Sequence, residues 1–110
     1  MMKRFCYTLD LKDNNASKKN YIKHHQNVWP EIIKSLKNSG ILKAEIYNVD
    51  TRLFLIFETI ESYDEEYKKQ LDDNNPSVQK WEKLMSKYQK KLPFSKNNEK
   101  WVKMNKIFEL

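Results

Sequence analysis

Ala44-Glu45-Ile46-Tyr47-Asn48-Val49-Asp50-Thr51-Arg52-Leu53-Phe54-Leu55-Ile56-Phe57-Glu58-Thr59-Ile60 decides the fold class. Segments 44–48 and 53–60 are apolar and rich in aromatic and β-branched residues, and Val49-Asp50-Thr51-Arg52 joins them, so the stretch predicts a β-hairpin. The second strand is apolar on both parities, with Phe54 and Ile56 on one and Leu53, Leu55 and Phe57 on the other. Such a strand is central, and both faces of its sheet are at least partly dry.

Toward the N-terminus, Phe5, Tyr7, Leu9 and Leu11 alternate with Cys6, Thr8 and Asp10, the period of a half-buried strand. Asp13-Asn14-Asn15 breaks it. Ser17 reads as the N-cap of a helix carrying Tyr21, Ile22, His25, Val28 and Trp29, and Pro30 either kinks that helix or restarts it at a first turn. Ile32, Ile33 and Leu36 continue the apolar stripe as far as Asn38-Ser39-Gly40, where the only glycine of the chain suits a helix stop.

Toward the C-terminus, Ser62 to Leu71 reads as a helix with Tyr63, Tyr67 and Leu71 at four-residue steps. Pro76 opens another, with Val78, Trp81, Leu84, Met85 and Tyr88 on one face, ended by Leu92-Pro93-Phe94. Beyond a polar loop at 96–100, Val102, Met104 and Phe108 share one parity of a last strand. The order β, α, β, β, α(α), β predicts an α+β, ferredoxin-like fold: a four-stranded antiparallel sheet with helices on one face. Its uncovered, partly apolar face predicts a homodimer packed sheet against sheet, a dimeric α+β barrel, with a ligand cavity able to supply part of the cover.

The chain of 110 residues has room for one domain, 1–110. Hydrophobic residues at 39% and aromatics at 13% support a globular core despite a mean hydropathy of −0.90. A net charge of +6 and a pI near 9.3 raise the question of nucleic acid. Of 21 basic residues, however, only Arg4 and Arg52 are arginine, the residue that clamps phosphates and reads bases, so nucleic acid is not the expected partner. Cys6 is the only cysteine, which leaves no internal disulfide framework and no multi-cysteine metal site. No apolar run approaches the ~18 residues of a membrane span, so the expectation is a cytoplasmic protein without a membrane partner.

The chemistry concentrates in Tyr21-Ile22-Lys23-His24-His25-Gln26-Asn27-Val28-Trp29-Pro30-Glu31. Helical spacing puts the phenol of Tyr21, the imidazole of His25 and the indole of Trp29 on one face. A hydroxyl, a group titrating near neutral pH and a flat apolar ring suit a small-molecule site that moves protons. The plainer readings stand beside this one. Tyr21 and Trp81 can be core packers, Trp29 structural, His24 a surface residue, and Glu31 a carboxylate favouring a helix N-terminal turn.

Tyr21-x3-His25 followed by Val28-Trp29-Pro30-Glu31, the Ile46-Tyr47 strand, Leu53-Phe54 with Glu58, Gln79-Lys80-Trp81 with Met85, and Ile107-Phe108-Glu109-Leu110 together resemble the L-rhamnose mutarotase family over nearly the whole chain. The resemblance implies a dimeric ferredoxin-like protein that interconverts the α and β anomers of a deoxyhexose, L-rhamnose or a relative such as L-fucose, with no cofactor and no metal. It implies a substrate-contacting role for Tyr21, the proton donor in His25, and in Trp81 the first of two substrate-contacting tryptophans. Glu82 stands in place of the second, and Ala44 in place of a further substrate-contacting tyrosine, which bears on the identity of the sugar. Glu82 is a candidate to hold a sugar hydroxyl or to act as the complementary base. Two other readings remain: a small ferredoxin-like monooxygenase or haem-binding protein, and a non-enzymatic basic binding domain.

Overall fold

The computed structural model describes residues 2–110. The element order is β1 (Lys3–Leu11), α1 (Asn15–His25), α2 (Pro30–Asn38), β2 (Ile41–Val49), β3 (Arg52–Thr59), α3 (Glu65–Asp73), α4 (Pro76–Ser86), β4 (Gln89–Lys90) and β5 (Val102–Lys103). The sheet is antiparallel with strand order β2-β3-β1-β4, and β5 also pairs with β1. This is the ferredoxin-like α+β architecture expected from the sequence.

The hairpin forms around Asp50 and Thr51, with Val49 opposite Arg52, and Asp50 takes the positive φ of 53° that so tight a turn demands. The β2 strand starts at Ile41, earlier than the sequence pattern indicates, because an irregularity between Ile41 and Lys43 shifts the apolar alternation. Strand β3 is central, as its two apolar parities require.

Helix boundaries differ from the sequence expectations where side-chain caps compete. Asn14, not Ser17, caps α1, its side-chain oxygen accepting from the Ser17 N–H at 2.8 Å. Pro30 restarts the helix: α1 stops at His25, and α2 begins with Pro30 in its first turn. Asp64 caps α3, so that helix begins at Glu65 rather than near Ser62. Asn75 caps α4 ahead of Pro76. Gly40 follows α2 with φ +94°, and a Cβ there would lie 2.9 Å from Ile60. The glycine is required both by the backbone and by this close approach.

The largest departure is the fourth strand. Helix α4 ends at Ser86, and Tyr88 leaves the helix to accept a hydrogen bond from Lys12 N–H at 2.8 Å. Gln89 and Lys90 pair with Leu11 and Asp10, and Val102 and Lys103 then pair with Thr8 and Tyr7 further along the same edge of β1. One edge strand is thus split by an excursion over 91–101, pinned by the buried Leu92. The expected long last strand is short, since Met104 N–H still reaches Cys6 but Ile107 and Phe108 are exposed.

Helices cover one face of the sheet, over two clusters. One gathers Leu11, Tyr21, Ile32, Leu53, Val78, Trp81 and Met85, and the other Ile41, Leu55, Phe57 and Tyr63. Trp101, at the end of the excursion, packs against both. The register places Cys6, Thr8, Phe54, Ile56, Tyr47 and Val102 on the opposite, helix-free face. Ion pairs Arg4–Glu58 (3.0 Å) and Arg52–Asp10 (2.6 Å) flank that apolar centre.

Candidate active site

The last turn of α1 brings His25 over Tyr21, their ring centroids 4.3 Å apart and tilted by 33°. Helix α4 delivers Trp81 edge-on to the imidazole, with centroids 5.4 Å apart at 71°. The three residues nominated from the sequence therefore meet in space. Trp29 lies in the linker between α1 and α2, off the helical face expected for it, and packs its indole at 5.1 Å against Trp81. The half-buried imidazole thus lies between the rings of Tyr21 and Trp81.

His25 Nδ1 lies 2.9 Å from the backbone oxygen of Tyr21. A carbonyl oxygen only accepts, so Nδ1 carries the proton and the lone pair of the neutral ring sits on Nε2. Burial lowers the pKa of His25 below the ordinary 6.5; the bond to the Tyr21 carbonyl partly opposes this, and neighbouring His24 adds a small lowering effect. The neutral tautomer with a basic Nε2 is thus the resting form near pH 7.

Tyr21 is buried, and burial pushes its hydroxyl up to about 12, with Gln89 opposing and the Glu82 charge assisting the rise. It remains a neutral phenol at physiological pH, a hydrogen-bonding group rather than a base. Gln89 Nε2 donates to its oxygen at 3.5 Å. Trp81 is likewise buried in the first cluster, so it serves as a wall.

Glu82 is exposed on α4, its charge felt by the Tyr21 hydroxyl but its ion pair made outside the ring cluster. Its carboxylate pairs with Lys100 at 3.1 Å, and Lys100 also donates to Ser86 Oγ at 2.8 Å. Lys100 and Ser86 line a cavity of about 340 Å³ together with Leu9, Gln89, Lys91, Asn98 and Glu99. Leu9, fully buried on the helix-facing side of β1, lies beneath it, and the 91–101 excursion supplies Lys91, Asn98, Glu99 and Lys100. Tyr21, His25 and Trp81 are not among its lining residues; the link is Gln89, which touches the Tyr21 hydroxyl.

Ala44 is exposed on β2 opposite Phe57 and belongs to neither cluster. His24 corrects an expectation: it is half-buried, with Nε2 3.3 Å from the Tyr88 hydroxyl and its ring edge-on to Trp81. Sequence pattern missed the cavity residues because Gln89 reads as the tail of a helix and 96–100 as a plain polar loop. The only available signal was the Leu92-Pro93 break, which marks where the chain turns out of the sheet. Among the described residues, no group of three or more His, Cys, Asp or Glu is placed to hold a metal ion. Among the described residues, no helix is long and apolar enough to cross a membrane.

A family model described as L-rhamnose mutarotase matches residues 4–110. The chain belongs to the L-rhamnose mutarotase family. An L-fucose mutarotase of Xanthomonas campestris pv. campestris is 40% identical over 111 residues, covering 99% of this chain and 89% of the relative. A UPF0734 protein of Dictyostelium discoideum is 30% identical over 112 residues, covering 98% of this chain and 90% of its own. The crystal structure of an L-rhamnose mutarotase from Formosa agariphila matches with a TM-score of 0.71 at 22% identity over 98% of both chains, a likeness of fold. Mutarotases are carbohydrate isomerases, and this membership favours the sugar-isomerase reading over the haem-binding and basic-domain alternatives.

Proposed function

We propose that this chain interconverts the α and β anomers of L-rhamnose or a related 6-deoxyhexose such as L-fucose, with His25 as the proton carrier and no cofactor. The single observation that carries the reading is the enclosure of the His25 imidazole between Tyr21 and Trp81, with Nδ1 tied to a backbone carbonyl and Nε2 left to work.

Anomerisation breaks the bond between C1 and the ring oxygen, forms a C1 carbonyl, lets C1 turn over, and closes again. The anomeric hydroxyl loses a proton and the ring oxygen gains one. Both oxygens are attached to the same carbon, so one imidazole nitrogen can take the proton from the first and return it to the second. With His25 neutral at rest, the base step comes first and the acid step follows. Tyr21, protonated throughout, orients the sugar by hydrogen bonding, and Trp81 forms an apolar wall behind the imidazole. Glu82 acts on the sugar through Lys100, which it holds at the rim of the cavity.

The same reading includes a homodimer formed through the helix-free face, acting as a single 1–110 domain in each copy. Support comes from the apolar centre flanked by ion pairs and from Tyr47 and Val49, exposed on the same face.

Exchange NMR on the two anomers of L-rhamnose and L-fucose, with and without protein, tests the activity. Acceleration of either exchange above the buffer rate, abolished in His25→Ala, is expected. No acceleration of any 6-deoxyhexose, or full activity in His25→Ala, overturns the proposal.

A further inference from the structure

The cavity beneath the 91–101 excursion contains a polar group that folding has left without a partner. Gln89 sits opposite Leu11 in β4, which directs its side chain toward the helix layer. Its Nε2 donates to the Tyr21 hydroxyl, while its Oε1 is buried and accepts from nothing. It is the sole buried side-chain polar atom among the described residues that lacks a partner. Lys91, Lys100, Ser86 and Asn98 line the same cavity, yet none donates to it. Buried acceptors are nearly always satisfied, and each exception asks for an explanation.

Resting on the sugar-isomerase reading, we propose that Gln89 Oε1 accepts a hydrogen bond from one hydroxyl of the bound pyranose and is a specificity-determining residue of this chain. An orphan acceptor calls for a donor ligand, and the rest of the lining says of what kind. Lys100 is already neutralised by Glu82, and Glu99 already accepts from the Lys96 backbone N–H. The charges about the cavity therefore balance in sum, Lys91 and Lys100 against Glu99 and Glu82, which suits a neutral polyhydroxylated molecule rather than an ion. A volume of about 340 Å³ lies at the small end of ligand cavities, where a monosaccharide belongs. Gln89 and His25 also lie against the same residue, the first on the Tyr21 hydroxyl and the second on its ring. Gln89 is thereby linked to His25 through a single residue, the buried Tyr21.

The test compares wild type with Gln89→Met, an apolar side chain of the same length, using L-rhamnose, L-fucose and their monodeoxy analogues in exchange NMR. In wild type, one monodeoxy analogue is expected to lose on the order of 10- to 100-fold in kcat/KM, the worth of a hydrogen bond to a buried group. In Gln89→Met the parent sugar falls by a similar factor, chiefly through KM, and the difference between parent and that analogue shrinks below about threefold. Gln89→Glu, which keeps an oxygen at that place, retains the discrimination. Equal analogue profiles in wild type and Gln89→Met, or loss of discrimination in Gln89→Glu as well, overturn the assignment. Should wild type anomerise no 6-deoxyhexose, the activity reading fails by itself, and saturation-transfer binding of the same panel decides the Gln89 assignment. The same analogue-selective loss in affinity upholds it, and absence of sugar binding overturns it.

Discussion

His25 Nδ1 donates to the backbone carbonyl of Tyr21, one helical turn earlier, at 2.9 Å. This bond turns a residue in the last turn of a helix into a fixed catalytic candidate, because it sets both the tautomer and the ring orientation. Removing the imidazole removes the proton carrier but little of the core. His25→Ala is therefore expected to lower the catalysed exchange rate by about 10²- to 10⁴-fold, the range for a positioned acid–base group. Circular dichroism should show the helical content unchanged, and a folded His25→Ala with wild-type exchange rates would remove His25 from the mechanism.

The depressed pKa of His25 gives the pH dependence its direction. Nε2 must be unprotonated to begin the reaction, so kcat/KM is expected to stay level from neutral pH upward. It falls on the acid side with an apparent pKa below the ordinary 6.5. Stability follows the same sign. A histidine held neutral in the fold contributes fully above 6.5, and the contribution is lost as pH falls through its folded value. Buffer-corrected exchange rates between pH 4.5 and 8 check the first statement, and an acid limb centred above 6.5 contradicts it.

Tyr21 couples the two halves of the site, since its ring meets His25 and its hydroxyl meets Gln89. Tyr21→Phe keeps the ring and deletes the hydroxyl, leaving Gln89 with neither polar end satisfied in the absence of ligand. The expected cost is about 1 kcal/mol of stability, the usual scale for a modest hydrogen bond inside a protein. A loss of roughly tenfold or more in kcat/KM is expected with it. Chemical denaturation and exchange NMR on the same sample separate the two effects, and unchanged kcat/KM would reduce Tyr21 to a packing residue.

How much of this was legible beforehand depends on which force wrote the signal. Apolar alternation marked β1, an apolar run marked β3, a helical stripe marked α4, and Pro76 marked a helix start, because these features are local. The Tyr21–His25 pair was legible for the same reason: i and i+4 on a helix always meet. Helix starts at Asn14 and Asp64 were displaced by competition among neighbouring polar residues that all cap well, a choice that propensity alone does not decide. Only half of the split edge strand was legible: the parity of Val102 and Met104 marked its second piece, while Gln89-Lys90 read as the tail of a helix. Each piece is only two residues long, and that both pair with the same edge of β1 is a tertiary fact that no local pattern encodes. The cavity under 91–101 was lost along with that pairing.

Glu82 gives a further distinction. A carboxylate that merely decorates α4 has no influence on sugar affinity, whereas one that holds Lys100 at the cavity rim does. Glu82→Gln is expected to raise KM for the preferred sugar by about two- to fivefold while leaving kcat within twofold, in line with the small energies of exposed ion pairs. A fall in kcat with KM unchanged would instead mark Glu82 as part of the proton transfer.

The helix-free face predicts an oligomeric state. Phe54 lies at its centre, between Thr8 and Tyr47 on the neighbouring strands. In a two-fold dimer a central residue faces its own counterpart or a near neighbour, so one charge introduced there is buried twice. Sedimentation of wild type is expected to give twice the monomer mass of 13.4 kDa, and Phe54→Glu the monomer mass. Because Phe54 points away from both helix-side clusters, the variant should still fold. A monomeric wild type at tens of micromolar would sink the sheet-to-sheet arrangement.

Gly40 ties the end of α2 to the loop after β3, and its replacement measures how tightly that corner is built. With φ at +94° and Ile60 carbons 2.9 Å from the place of a Cβ, Gly40→Ala meets backbone strain and steric overlap together. The residue also accepts from Ile60 N–H at 3.0 Å, so the two segments cannot simply part without breaking that bond. The combined cost is about 2 to 3 kcal/mol, summing an unfavourable φ and modest overpacking. For a chain of this length that lowers Tm by roughly 10 °C. The cavity lies at the other edge of the sheet, so kcat at temperatures well below the new Tm is expected to stay within about twofold of wild type. A thermal melt unchanged to within 2 °C would mean that Ile60 moves aside freely and the corner is loosely packed.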